Sequence, residues 1–165
     1  MHQSATLVLF VSRENAARSI LAEACLRHLG KEKFRVFSCG MPTQAHGQPH
    51  PLILQGLASA GMSCDGLRSK PFTEFTRGAA PRMDFVISLD KATLADHPSW
   101  PGQPETALWH YPPILVPGRS DADLKQAIVL TLVSLRLRIE LLVSLHMRGT
   151  KRSDLRSDLR DLAYR

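Results

Sequence analysis

Leu7-Val8-Leu9-Phe10-Val11-Ser12-Arg13-Glu14-Asn15-Ala16-Ala17-Arg18-Ser19 decides how the chain is read. Five apolar residues of strand length stop abruptly at Ser12, which suits a central strand covered on both faces. A short polar turn follows, and then a helix opens near Arg18. Amide groups left unpaired at a helix start converge on one spot, and the helix dipole favours negative charge there. Arg18 adds a forked, permanently charged group suited to phosphate or arsenate.

Working outward, Ile20, Leu21, Ala24, Cys25 and Leu29 recur at helical spacing, and Gly30 is the expected stop. Glu23 sits one turn inside this helix, as a surface charge or as a brace for the loop. Phe34–Ser38 reads as a second strand, with a tight turn at Cys39-Gly40. Pro51 suits the first position of a helix running from His50 to Gly61. Asp84–Leu89 is a third strand, Lys91–Ala95 a short helix, and Thr106–His110 a fourth strand. Ser120-Asp121-Ala122-Asp123 resembles a capping box, after which Leu124 to Met147 carries both an alternating and a helical pattern; its leucine content, cap and length favour helix. At 1.5 Å per residue that helix measures roughly 36 Å, long enough to overhang the domain.

Strands alternating with helices, and an anion loop at the carboxyl end of the first strand, predict a doubly wound parallel sheet. The 165 residues, 44% of them apolar, fit one globular domain and exclude disordered and fibrous classes. We place that domain at 1–148, with 149–165 as a basic tail. The net charge of +6 suits an acidic or phosphorylated ligand, but no basic stripe with interleaved aromatics indicates nucleic acid. Three charges inside the long helix make a membrane span costly, on the order of 8 to 10 kcal/mol. Cys25, Cys39 and Cys64 have no paired spacing and no signal peptide precedes them, so a reducing cytoplasm is the expected setting. Cys39, His46 and His50 lack a fourth ligand and the spacing for zinc, so we expect neither metal nor cofactor. In the tail, Arg-Ser-Asp-Leu occurs twice, at 152–155 and 156–159. A solvated terminus is the plainer reading, although Leu155, Leu159 and Leu162 could form a helical face for a second copy.

The spacing from Ser12 to Arg18, followed by Ser19, resembles the phosphate-binding loop of the low-molecular-weight protein tyrosine phosphatases and related arsenate reductases. There, cysteine, five residues, arginine and serine follow the first strand. The resemblance covers roughly residues 6 to 147 and implies a flavodoxin-like phosphatase I fold, a three-layer domain with a four-stranded parallel sheet in the order 2-1-3-4. It implies that Ser12, Arg13, Glu14, Asn15, Ala16, Ala17, Arg18 and Ser19 bind phosphate, that Ser12 and Arg18 occupy catalytic positions, and that His50-Pro51 and Arg68-Ser69-Lys70-Pro71 shape the wall beside the loop.

Two departures weigh against catalysis. Ser12 stands where the family carries its nucleophilic cysteine. Such a loop lowers a thiol from about 8.5 to as little as about 3.5; equal help to a hydroxyl starting near about 15.7 leaves it above about 10, still protonated. A serine nucleophile needs an adjacent base, and Glu14 is expected to point outward. The family's Asp-Pro acid is replaced by Tyr111-Pro112-Pro113, beside which His110 is a weak substitute. Leu89 and Asp90 stand where thioredoxin-coupled reductases place a redox cysteine, which disfavours a disulfide relay. The sequence therefore indicates a phosphatase-like protein that holds phosphate, a similar oxyanion or a phosphorylated protein side chain without cleaving it. The alternatives are a phosphatase or arsenate reductase with an engineered serine at position 12, and a self-associating protein with a vestigial loop that dimerises through its last helix or tail.

Overall fold

The computed structural model describes residues 4–45, 47–147 and 159–162. Four strands, β1 (Thr6–Val11), β2 (Phe34–Cys39), β3 (Phe85–Ser88) and β4 (Glu105–Leu108), form one sheet in the order β2-β1-β3-β4. Every pairing is parallel, with Val8 beside Val36 and Phe85, and Val11 beside Cys39 and Ser88. The fold is the three-layer α/β architecture expected from the sequence. Side chains alternate across each strand. Val8, Phe10, Phe85 and Ile87 enter one core, while Leu9, Val11 and Val86 enter a second core on the opposite face with Phe75, Met83 and Trp100. Both faces of β1 are thus covered, which is why its sequence is apolar without alternation.

Helices α1 (Arg18–Gly30), α2 (Pro51–Ser59) and α4 (Asp121–Met147) share the first core, and α3 (Lys91–Ala95) follows β3. α1 is buried without interruption from Arg18 to Leu26. Gly30 is its last residue and not the left-handed stop; Lys31 takes the positive φ of 49°. A Cβ on Gly30 would meet the Phe34 ring at 2.5 Å, so close packing on β2 demands glycine there. The ambiguous stretch before Met147 is helical throughout, capped by Ser120, whose Oγ accepts the Asp123 amide at 3.2 Å.

Two expectations about the C-terminal region need correction. α4 does not overhang: near its end, His146 bonds Thr6 Oγ1 through Nε2 at 2.8 Å and its ring lies 4.5 Å from that of Phe34, at the start of β1 and β2. Nor are Leu159 and Leu162 solvated or free for a partner. They are 2% and 4% exposed within the main core, and Trp109 Nε1 donates to the Leu159 carbonyl at 3.0 Å. Leu155 and all of the tail repeat except Leu159 lie outside the described residues.

Candidate functional site

Parallel pairing puts the carboxyl ends of β1, β2 and β3 side by side, and the loop from Ser12 to Ala17 crosses this edge into α1. Its path is fixed by Asn15, which has a φ of 51° and a fully buried side chain. Asn15 Nδ2 donates to Ser19 Oγ at 2.7 Å and to Ser38 Oγ at 2.9 Å, while its Oδ1 accepts the Lys70 amide at 2.9 Å. Ser38 in turn donates to the Glu23 carboxylate, which also pairs with Arg27. Glu23 is therefore a brace and not a surface charge, 1% exposed behind the loop. Burial lowers the pKa of the nearby Lys70, and Glu23, 3.9 Å away, opposes that shift.

Neighbouring segments hold the loop from outside. The His50 amide donates to Ala16 O, Met41 N to Arg13 O, and Ser69 Oγ to Asn15 O. His50-Pro51 and Arg68-Ser69-Lys70-Pro71 thus build the wall as expected. Gly40 is needed for close approach and not for a left-handed turn, since a Cβ there would lie 2.8 Å from Arg13 O and 2.9 Å from Ser12 O.

Ser12 is 2% exposed and shares a 2.5 Å hydrogen bond with Ser19 Oγ, whose amide also donates to Ser12 Oγ at 3.3 Å. Because Asn15 donates into Ser19, the Ser19 proton can turn toward Ser12, which keeps its own proton for a group outside this network. Among the described residues no carboxylate or imidazole accepts from Ser12. The amides of Glu14, Asn15, Ala16, Ala17 and Arg18 likewise donate to no acceptor of the described chain.

Arg18 is buried and turned inward. Its Nη1 donates to Tyr111 O at 2.9 Å and its Nη2 lies 3.1 Å from Asp90 Oδ2. Desolvation lowers its pKa, and Asp90 opposes this. Asp90 also accepts the Arg13 amide at 3.3 Å and caps α3 through the Thr93 amide at 2.7 Å. Ser12, Glu14, Asn15, Ala16, Ala17 and Arg18 enclose a hollow of about 20 Å³ with Pro113, Ile114 and Leu115. A single water needs about 10–15 Å³ on this scale, so the hollow is about the size of one water.

The structure gathers Ser12, Glu14, Asn15, Ala16, Ala17 and Arg18 around one hollow; Arg13 and Ser19 do not line it, and Arg13 and Glu14 are exposed. His110 is exposed and does not line it. Sequence reasoning missed Asp90 as the partner of Arg18, and missed Ile114 and Leu115 as its cover. Among the described residues no cluster of three metal-ligating side chains occurs, and His46 lies outside them. Cys25, Cys39 and Cys64 are free thiols; burial pushes Cys25 up to about 12 and raises Cys39 further.

The family model for low molecular weight phosphotyrosine protein phosphatase matches residues 7–107. The chain belongs to this family. Among curated relatives, the glutaredoxin arsenate reductase of Synechocystis sp. is 32% identical over 93 residues, which span 56% of this chain and 66% of that protein. Among solved structures, an arsenate reductase in its oxidized state is 26% identical, with a TM-score of 0.65, over 84% of this chain and 97% of the other. The thioredoxin-dependent arsenate reductase of Corynebacterium glutamicum shares the fold, at 23% identity and a TM-score of 0.60, over 90% of this chain and 65% of that one.

Proposed function

We propose that this member of the phosphatase family binds a small tetrahedral oxyanion, phosphate or arsenate, and does not turn it over. The observation that carries the reading is the run of uncommitted amides from Glu14 to Arg18 around the Ser12 hollow. The amides and the Arg18 guanidinium offer donors there, and the Ser12 hydroxyl can donate as well. An ionised oxyanion, which only accepts, is the complementary ligand. A phosphorylated side chain of another protein presents the same oxygens.

Two observations support the absence of turnover. Among the described residues no base accepts from Ser12, and the segment after β4 brings Pro113, Ile114 and Leu115 to the hollow. The second reading, a phosphatase or arsenate reductase whose cysteine has been changed to serine, is supported by the family match and the reductase relative.

Calorimetric titration with phosphate is expected to give a binding heat that Arg18→Ala abolishes. Equal heats from both proteins would overturn the anion reading. p-Nitrophenyl phosphate turnover separates the two readings: the chain as it stands is expected to be inert, and Ser12→Cys to recover little because no acid serves the leaving group. Strong recovery would establish the second reading.

A further inference from the structure

α4 is apolar on two faces. Its inner face, with Leu124, Ile128, Leu132, Leu135, Ile139 and Leu142, is buried in the core. On the outer side Val129, Leu130, Val133, Leu137 and Leu141 are 41% to 62% exposed. At 3.6 residues per turn these outer residues occupy one arc of about 120° and run for about 18 Å along the axis. An exposed apolar patch of this length, interrupted by Gln126 and Glu140, marks an interaction surface. Beside it, a groove of about 240 Å³ between α2 and α4 continues the surface past Gly56 and Met62. No helix among the described residues is long and apolar enough to cross a membrane.

We propose that a second copy of this chain covers this face, the two α4 helices packing antiparallel about a two-fold axis at Val133. In a two-fold interface each contact occurs twice with the roles exchanged. An axis at Val133 sets Val133 against itself and Val129 against Leu137 of the partner subunit. The same register brings Lys125 within one residue of facing Glu140 of the partner subunit, at both ends of the stripe. Lys125 is exposed and has no ion-pair partner among the described residues. Glu140 is bound to Arg136 through Oε1 alone, at 3.0 Å, which leaves Oε2 for the incoming ammonium. A parallel pairing in register would instead set Lys125 against Lys125, a like-charge contact that antiparallel packing avoids. A standard interface covers about 800 Å² on each partner, so the groove as well as the stripe would be engaged.

The test is the oligomeric state of the full chain by sedimentation velocity across micromolar concentrations. A concentration-dependent dimer is expected. Leu137→Asp, at a position 60% exposed and therefore tolerant for folding, is expected to give monomer with unchanged thermal unfolding of the subunit. Lys125→Glu alone should weaken the dimer about tenfold, since it reverses two pairs at once. Lys125→Glu combined with Glu140→Lys should restore it, a rescue that general surface charge would not produce. A monomer at every concentration, a dimer indifferent to Leu137→Asp, or failure of the double reversal to rescue would each overturn the proposal. Co-sedimentation of a monomer with anionic lipid vesicles would assign the face to a membrane surface and overturn it as well.

Discussion

Asn15 gives the sharpest measure of whether the loop is shaped before any ligand arrives. Its buried side chain makes three hydrogen bonds, to Ser19, Ser38 and the Lys70 amide. Asn15→Ala removes all three, at about 1 kcal/mol each. Alanine must also hold the left-handed backbone at this position, where φ is 51°, at about 1 kcal/mol more. The expected loss is therefore about 3–5 kcal/mol, a large share of the stability of a domain this size. Asn15→Gly loses the same bonds but tolerates positive φ, so it should cost about 1 kcal/mol less than alanine. Urea unfolding followed by Trp109 and Trp100 fluorescence measures both variants. A loss under about 1 kcal/mol for alanine would refute the view of Asn15 as the brace. Glycine no better than alanine would refute the backbone component.

Two further expectations concern the C-terminal half. Burial and Lys33 lower the pKa of His146, so the folded chain prefers the neutral ring. The unfolded value is about 6.5; the stabilisation is present above it and is lost as pH falls through the lower folded value. Unfolding free energy should decline with acidification in this range, and His146→Gln should flatten the slope; an unchanged slope would count against the burial of the ring. Leu162→Ala should destabilise by about 2–4 kcal/mol, because the side chain is 4% exposed in the core. A solvated terminus would give no measurable change in the denaturation midpoint.

Much of this architecture is legible in local pattern. The run Leu7–Val11 suits a covered strand, and the polar break at Ser12 before the apolar face of Ile20 and Leu21 places the loop. The rest depends on neighbours distant in sequence. Asp90 reaches Arg18 because β1 and β3 are adjacent, with Val11 beside Ser88; the parallel topology was the available signal, since residues just past two neighbouring strand ends must meet. Glu23 reads in the sequence either as a surface charge or as a brace for the loop, and only Ser38 and Arg27 decide for the brace. The outer stripe of α4 is invisible to helical periodicity, which cannot separate two apolar faces from one broad one. Leu159 is held by Trp109, fifty residues earlier in the chain, and Leu162 joins the same core.

Asp90 touches Arg18, the Arg13 amide and the first turn of α3 with a single carboxylate. One consequence is an internal counterion. A cradle of converging donors would otherwise repel itself, and here Asp90 supplies a fixed opposing charge. On the oxyanion reading proposed above, an arriving anion is chosen by how well its oxygens reach the unshared amides. Its affinity should then vary steeply with the shape of the ion.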